Sequence, residues 1–90
     1  MLTLMSILTA HTAGELGELI RGIRKERGLT QTELAERANI ARGALQKLER
    51  GRGTITIETF FKLLHAMSLD LTLSDRAQSR DLGQRSQHGR

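Results

Sequence analysis

Between residues 37 and 62 the chain sets six basic side chains, Arg37, Arg42, Lys47, Arg50, Arg52 and Lys62, against only Glu49 and Glu58. Guanidinium and ammonium groups at this density attract a polyanion, and such a segment is the electrostatic footprint of a nucleic-acid binder. A solvated helix face would carry the same charges, so charge alone leaves both readings open. Catalytic chemistry is poorly provided for. His11, His65 and His88 fall in three separate segments, and none has an acid or nucleophile at a spacing that local structure could assemble. There is no cysteine, no glycine-rich phosphate loop after a strand and no His-x-x-x-His pair. No enzyme and no cofactor are expected.

The remaining charge is arranged around that segment. Residues 14–36 are close to neutral, residues 63–75 add only Asp70 and Asp75, and the last fifteen residues carry four arginines against Asp81. The formal net charge of +4 therefore comes from the central segment and the C-terminal end. Ninety residues, 38% apolar and 27% charged, suffice for one small domain that buries a core. Absence of cysteine rules out disulfide staples and thiolate zinc sites and suits a reducing cytoplasm. A chain this short has little apolar burial of its own, so association would add what it lacks. The opening MLTLMSILTA is apolar but has no basic flank, no obvious cleavage box and too little length to span a membrane. A mobile or lightly docked N-terminus over residues 1–11 is expected, with Met5 an alternative start.

Four helices are punctuated in the sequence. Thr12 and Glu15 have the spacing of a capping box, followed by an apolar stripe of Leu16, Leu19, Ile20 and Ile23 and a stop at Gly28. Thr30 and Glu33 form a second box, flanked by Leu29 and Leu34 as a hydrophobic staple. That helix points Leu34, Ala35 and Ala38 inward and ends at Asn39, a residue type that tolerates a left-handed turn. A third helix is expected over residues 41–50, with Leu45 and Leu48 inward and Gly51 as its stop. Thr56 caps a fourth, running through Met67 with Ile55 and Phe60 as its staple and Phe60, Leu63, Leu64 and Met67 inward.

Residues 69–73, LDLTL, change to period two, the pattern of a half-buried strand. A lone strand has nothing in this chain to pair with, so a mate in a second subunit is expected; an apolar end folded back on the core is the alternative. Residues 12–68 thus form one domain, 69–74 a dimerisation strand and 75–90 a flexible basic tail.

Two short helices joined at Asn39–Ile40 cross steeply and present the second outward, which is a helix-turn-helix. The run GLTQTELAERANIARGALQKLERG resembles the signature of the lambda-repressor-like (XRE/Cro) DNA-binding family, with Leu29, Thr30, Gln31, Leu34, Ala35, Ile40, Leu45, Glu49 and Gly51 at the family's spacings. Asn39 stands where glycine is more usual, Ala41 where serine would cap the recognition helix, and Ala44 where a hydroxyl is common. The implied fold is an all-α bundle of four or more short helices. The stretch TITIETFFKLLHAMSLDLTLSD is similar to the HipB-type antitoxins, in which a fourth helix runs into a strand that pairs across a dimer.

That resemblance implies functional roles. Gln31 opens the second helix against the DNA backbone and the recognition helix. Arg42, Gly43 and Gln46 face outward at the start of the recognition helix, where Arg42 can pair with guanine and Gln46 with adenine. Ala41 and Gly43 are small enough for close approach to the groove, and Ala41 can touch a thymine methyl. Lys47, Arg50 and Arg52 neutralise phosphates. Glu49 is read as structural, pairing locally within its helix. Phe61, turned about 100° from Phe60 on a helix, is read as joining Leu69, Leu71 and Leu73 in the dimer seam, with docking of a partner protein or simple exposure as the alternatives. The protein would be cytoplasmic and nucleoid-associated, a homodimer on double-stranded operator DNA, repressing its own operon and binding a HipA-like serine/threonine kinase toxin. A stand-alone repressor, or an antitoxin to a HigA-type system, is the alternative.

Overall fold

The computed structural model describes residues 7–75. Four helices follow one another there: α1 (Ala13–Glu26), α2 (Gln31–Ala38), α3 (Arg42–Glu49) and α4 (Ile57–Ala66). Of the basic tail expected over residues 75–90 all but Asp75 lies outside this range, as do the first six residues, and residues 7–11 form no helix.

The helix starts follow the threonines. Thr30 Oγ1 accepts the Glu33 N–H at 3.0 Å while the Glu33 carboxylate accepts the Thr30 N–H at 2.8 Å, a complete capping box. At α1 the box is half made. Thr12 Oγ1 accepts from Glu15 N–H at 3.0 Å, but the Glu15 carboxylate reaches past Thr12 to the N–H of His11, at 2.7 Å. Thr56 accepts from Thr59 N–H. At α3 Ala41 offers no side-chain cap, so this helix starts with its first N–H groups free of one.

Each helix stops on a left-handed residue: Gly28, Asn39, Gly51 and Ser68 all have positive φ. In α1 and α4 the following N–H groups return to the last turn in the paired pattern of a Schellman motif, Leu29 to Arg24 and Leu69 to Leu64. Ser68 is the stop that the sequence pattern does not announce. It turns the chain so that Leu69 falls back onto the core.

The core is formed by Ile20, Leu34, Ala35, Ala38, Leu45, Leu48, Leu63 and Met67, with Leu16, Ile23, Leu29, Ile40, Ile55 and Phe60 packed around it. Burying each of Ile20, Leu34, Leu45, Leu63 and Met67 fully contributes about 1.5–3 kcal/mol before entropy is counted. α1 packs on α3, and α2 on both α3 and α4. The first of these contacts is close because it is made through glycine. A Cβ on Gly17 would sit 2.2 Å from the carbonyl oxygen of Leu48, and one on Gly51 would sit 2.6 Å from Gly14 Cα. Arg27 also donates to the carbonyl of Met67, tying the end of α1 to the end of α4.

Residues 69–75 adopt no regular secondary structure in the single chain. Leu69 is half-buried against the core, whereas Leu71 and Leu73 stand exposed. No strand edge exists among the described residues for this segment to pair with, so the expected strand is not formed within one chain.

Candidate nucleic-acid interface

The turn between α2 and α3 is set by Asn39, at φ 59° and ψ 48°, and by the Ile40 N–H returning to Ala35. Beyond it α3 buries Leu45, Leu48 and Glu49 and leaves its opposite side open. Ala41, Arg42, Gly43 and Lys47 are exposed, Ala44 and Gln46 half-buried. Arg42 and Gln46 are four residues apart and so share a face of the helix. Gly43 is bare: a Cβ there would meet nothing within 4 Å. The Lys47 stem lies beside Gly53 in the loop that follows. Arg50 and Arg52 gather elsewhere, around a shallow depression they share with Gly14, Glu15, Glu18 and Glu49.

Gln31 is the first residue of α2 and half-buried, and its Nε2 donates to Glu49 Oε1 at 3.0 Å. This links α2 to the end of α3. The expectation that Glu49 pairs locally within its helix is corrected by this geometry. Its principal partner is Arg24, 25 residues earlier, whose Nε donates to Oε2 at 2.7 Å and whose Nη2 donates to Oε1 at 3.0 Å. Arg24 Nη1 completes the set by donating to the carbonyl of Leu29 at 2.8 Å. Both charged residues are buried, Arg24 at 7% exposure and Glu49 at 6%.

Such burial is tolerable because each nitrogen of Arg24 and both carboxylate oxygens of Glu49 find a partner. Burial opposes the charge on Glu49, but hydrogen bonds from Arg24 and Gln31, with further attraction from Arg24 and Arg21, hold its carboxyl below the usual range. The hydrogen bond to Glu49 likewise raises Arg24 above its already high value, against its own desolvation.

Arg24 goes unnoticed in the sequence, where it counts as one surface charge among several. A signal is present all the same: Leu16, Ile20 and Arg24 fall at i, i+4 and i+8, so Arg24 lies on the apolar stripe of α1. Glu49 follows Leu45 by four residues in the same way. With Glu49 withdrawn into the interior and all six basic side chains of residues 37–62 exposed, the surface of that segment is more basic than its formal sum.

Of the residues expected at a dimer seam, Phe61 stands partly exposed on α4, one turn from Ile57, which is 74% exposed. The Phe61 ring lies 6.2 Å from that of Phe60 and 6.4 Å from the His65 imidazole, centroid to centroid. No helix among the described residues is long and apolar enough to cross a membrane.

Comparison with known proteins places this geometry. The sequence model of the HTH_3 family, described as helix-turn-helix, matches residues 20–73. The chain is 31% identical over 72 residues to Antitoxin HipB of Escherichia coli strain K12, covering 80% of this chain and 82% of that protein. It is 39% identical over 57 residues to the immunity repressor protein of Bacillus phage phi105, covering 63% of this chain and 40% of that protein. Among solved structures, the HipB–O4 20mer complex superposes with a TM-score of 0.69 at 28% identity, over 78% of this chain and 99% of that one. The controller protein C.AhdI from Aeromonas hydrophila superposes with a TM-score of 0.61 at 26% identity, over 64% of this chain and 88% of that one. The chain belongs to the helix-turn-helix family of XRE-type DNA-binding regulators.

Proposed function

We propose that the protein is a homodimeric repressor that reads a specific operator through α3 and serves as the antitoxin of a HipA-like serine/threonine kinase, repressing the operon that encodes both. The observation that carries this reading is the open side of α3, where Arg42 and Gln46 share a face and a bare Gly43 lies between them. Arg42 pairs bidentately with guanine, Gln46 with adenine, and Ala41 meets a thymine methyl. Gln31, Lys47, Arg50 and Arg52 bind phosphates and set the register.

Phe61 and the 69–73 segment form the dimer seam, which supplies the strand its missing mate. Two copies of α3 then enter successive major grooves about 34–36 Å apart on a pseudo-palindrome. The working location is the cytoplasm, on the nucleoid. Similarity to Antitoxin HipB along most of both chains supports the antitoxin role, as does the likeness to HipB in a HipA–HipB–O2–O3 complex, with a TM-score of 0.69 at 28% identity. A stand-alone repressor is the second reading, favoured by the similarity to the phage phi105 immunity repressor.

A tagged copy recovered from its native cell, with mass spectrometry of what co-purifies stoichiometrically, separates the two. A protein with a serine/threonine kinase fold in equimolar amount is expected. Recovery of the chain alone, from cells expressing its neighbouring genes, would leave the stand-alone repressor.

A further inference from the structure

The Glu49 carboxylate accepts three hydrogen bonds, from Arg24 Nε at 2.7 Å, Arg24 Nη2 at 3.0 Å and Gln31 Nε2 at 3.0 Å. Paired with a guanidinium in this way it is an anion, and an ionised carboxylate accepts without donating. That restricts its neighbour. The two ends of a glutamine amide differ only in hydrogen-bonding character, and beside an obligate acceptor the NH₂ end must face inward. Arg24 is itself fixed by its bond to the carbonyl of Leu29, two residues before Gln31. The network therefore runs from two buried charges to a half-buried amide at the first position of α2. Glu49 takes one Nε2–H of Gln31, and the second is left for an acceptor outside the chain.

We infer that Glu49, braced by Arg24, is a positioning residue for DNA binding: it fixes the polarity of the Gln31 amide and presents the remaining N–H to a backbone phosphate. The inference rests on the DNA-binding reading. An unclamped glutamine turns either end outward, and its carbonyl end repels a phosphate. The clamp removes the wrong flip and pays part of the ordering entropy before DNA arrives.

The test uses the full 90-residue chain and two duplexes of about 20 base pairs, one from upstream of its own gene and one of random sequence. In ¹H–¹⁵N spectra the two Nε2 protons of Gln31 are expected to be resolved in the free protein, one displaced by its bond to the carboxylate. Adding either duplex should move the other. In parallel, fluorescence anisotropy compares the wild type with Glu49→Gln, Gln31→Ala and the double variant, under conditions where circular dichroism shows each folded. Glu49→Gln should weaken both duplexes by about threefold to tenfold per half-site, the size of one hydrogen bond. The salt slope should stay unchanged, because no phosphate-neutralising charge is lost. The loss should vanish in the Gln31→Ala background. Additive losses, or Gln31 protons unmoved by a duplex that does bind, overturn the positioning role while leaving DNA binding intact. If Glu49→Gln fails to fold, the wild-type spectra decide alone. Failure to bind either duplex at low salt overturns the DNA-binding reading and this inference with it.

Discussion

Gly43→Ala should move stability and DNA affinity in opposite directions. Gly43 lies inside α3 with an ordinary negative φ, and an added Cβ would meet nothing within 4 Å. The methyl therefore displaces no neighbour in the free protein. Replacing a helix-interior glycine with alanine stabilises by about 0.5–1 kcal/mol, an upper bound for Gly43 as the second residue of α3. For a domain of this size the melting temperature should rise by about 2–8 °C. α3 has much to gain, since Ala41 leaves its start uncapped. On DNA the same methyl occupies the space between the helix and the groove. Overpacking a close interface costs about 1–3 kcal/mol per site, so operator affinity should fall on the order of fivefold or more per half-site. Thermal melts by circular dichroism and anisotropy titrations on the upstream duplex measure the two effects on one sample. A lowered melting temperature would refute the open environment of Gly43. A raised melting temperature with unchanged affinity would refute the seating of this face in the groove.

Removing Arg24 alone, as Arg24→Leu, leaves the Glu49 carboxylate buried without its cation and should cost about 3–5 kcal/mol in urea melts. Because the folded chain holds the Glu49 carboxyl below its ordinary value of 4.5, the unfolded chain takes up the proton first. The stabilisation is complete above about pH 4.5 and drains as pH falls through the folded-state value; Glu49→Gln should flatten that acid limb, and an unchanged limb would place the titration elsewhere. Gly17→Ala drives a methyl to 2.2 Å from the Leu48 carbonyl, so α1 must move away from α3, at a cost of about 1–3 kcal/mol or more by urea denaturation. Phe61→Glu, on the exposed face of α4, should convert a sedimenting dimer to monomer and abolish tight operator binding while the melt of the monomer changes little; a persistent dimer would remove Phe61 from the seam.

What the sequence made legible is what is decided locally. Thr30 and Glu33 lie three residues apart, and their box closes within one turn whatever the rest of the chain does. Gly28, Asn39 and Gly51 announce stops for the same reason, since positive φ belongs to the residue itself. Ser68 has the same backbone and no comparable signal, and its left-handed φ of 56° comes with Leu69 returning to the core. Glu15 instead closes on the N–H of His11, one residue before Thr12, so the Thr12–Glu15 spacing decides only half of that box.

The interior of the site was out of reach for a different reason. Arg24 and Glu49 meet across 25 residues, and nothing local states that two helices will bring them together. Gly17 and Gly51 are similar: their purpose is the approach of α1 to α3, which exists only once both are placed. The exposed side of α3 was readable, because it is what remains when Leu45, Leu48 and the Asn39 turn are assigned.

On the proposed reading α3 contacts base edges. Anisotropy titrations of wild type, Arg42→Ala and Arg52→Ala, on the upstream and random duplexes across a salt series, test it most directly. The wild type should prefer the upstream duplex, and Arg42→Ala should lose about 1–3 kcal/mol of that preference per half-site. Arg52→Ala should instead weaken both duplexes alike and lower the salt slope by about one per copy. Equal losses on both duplexes for Arg42→Ala would contradict base reading by α3.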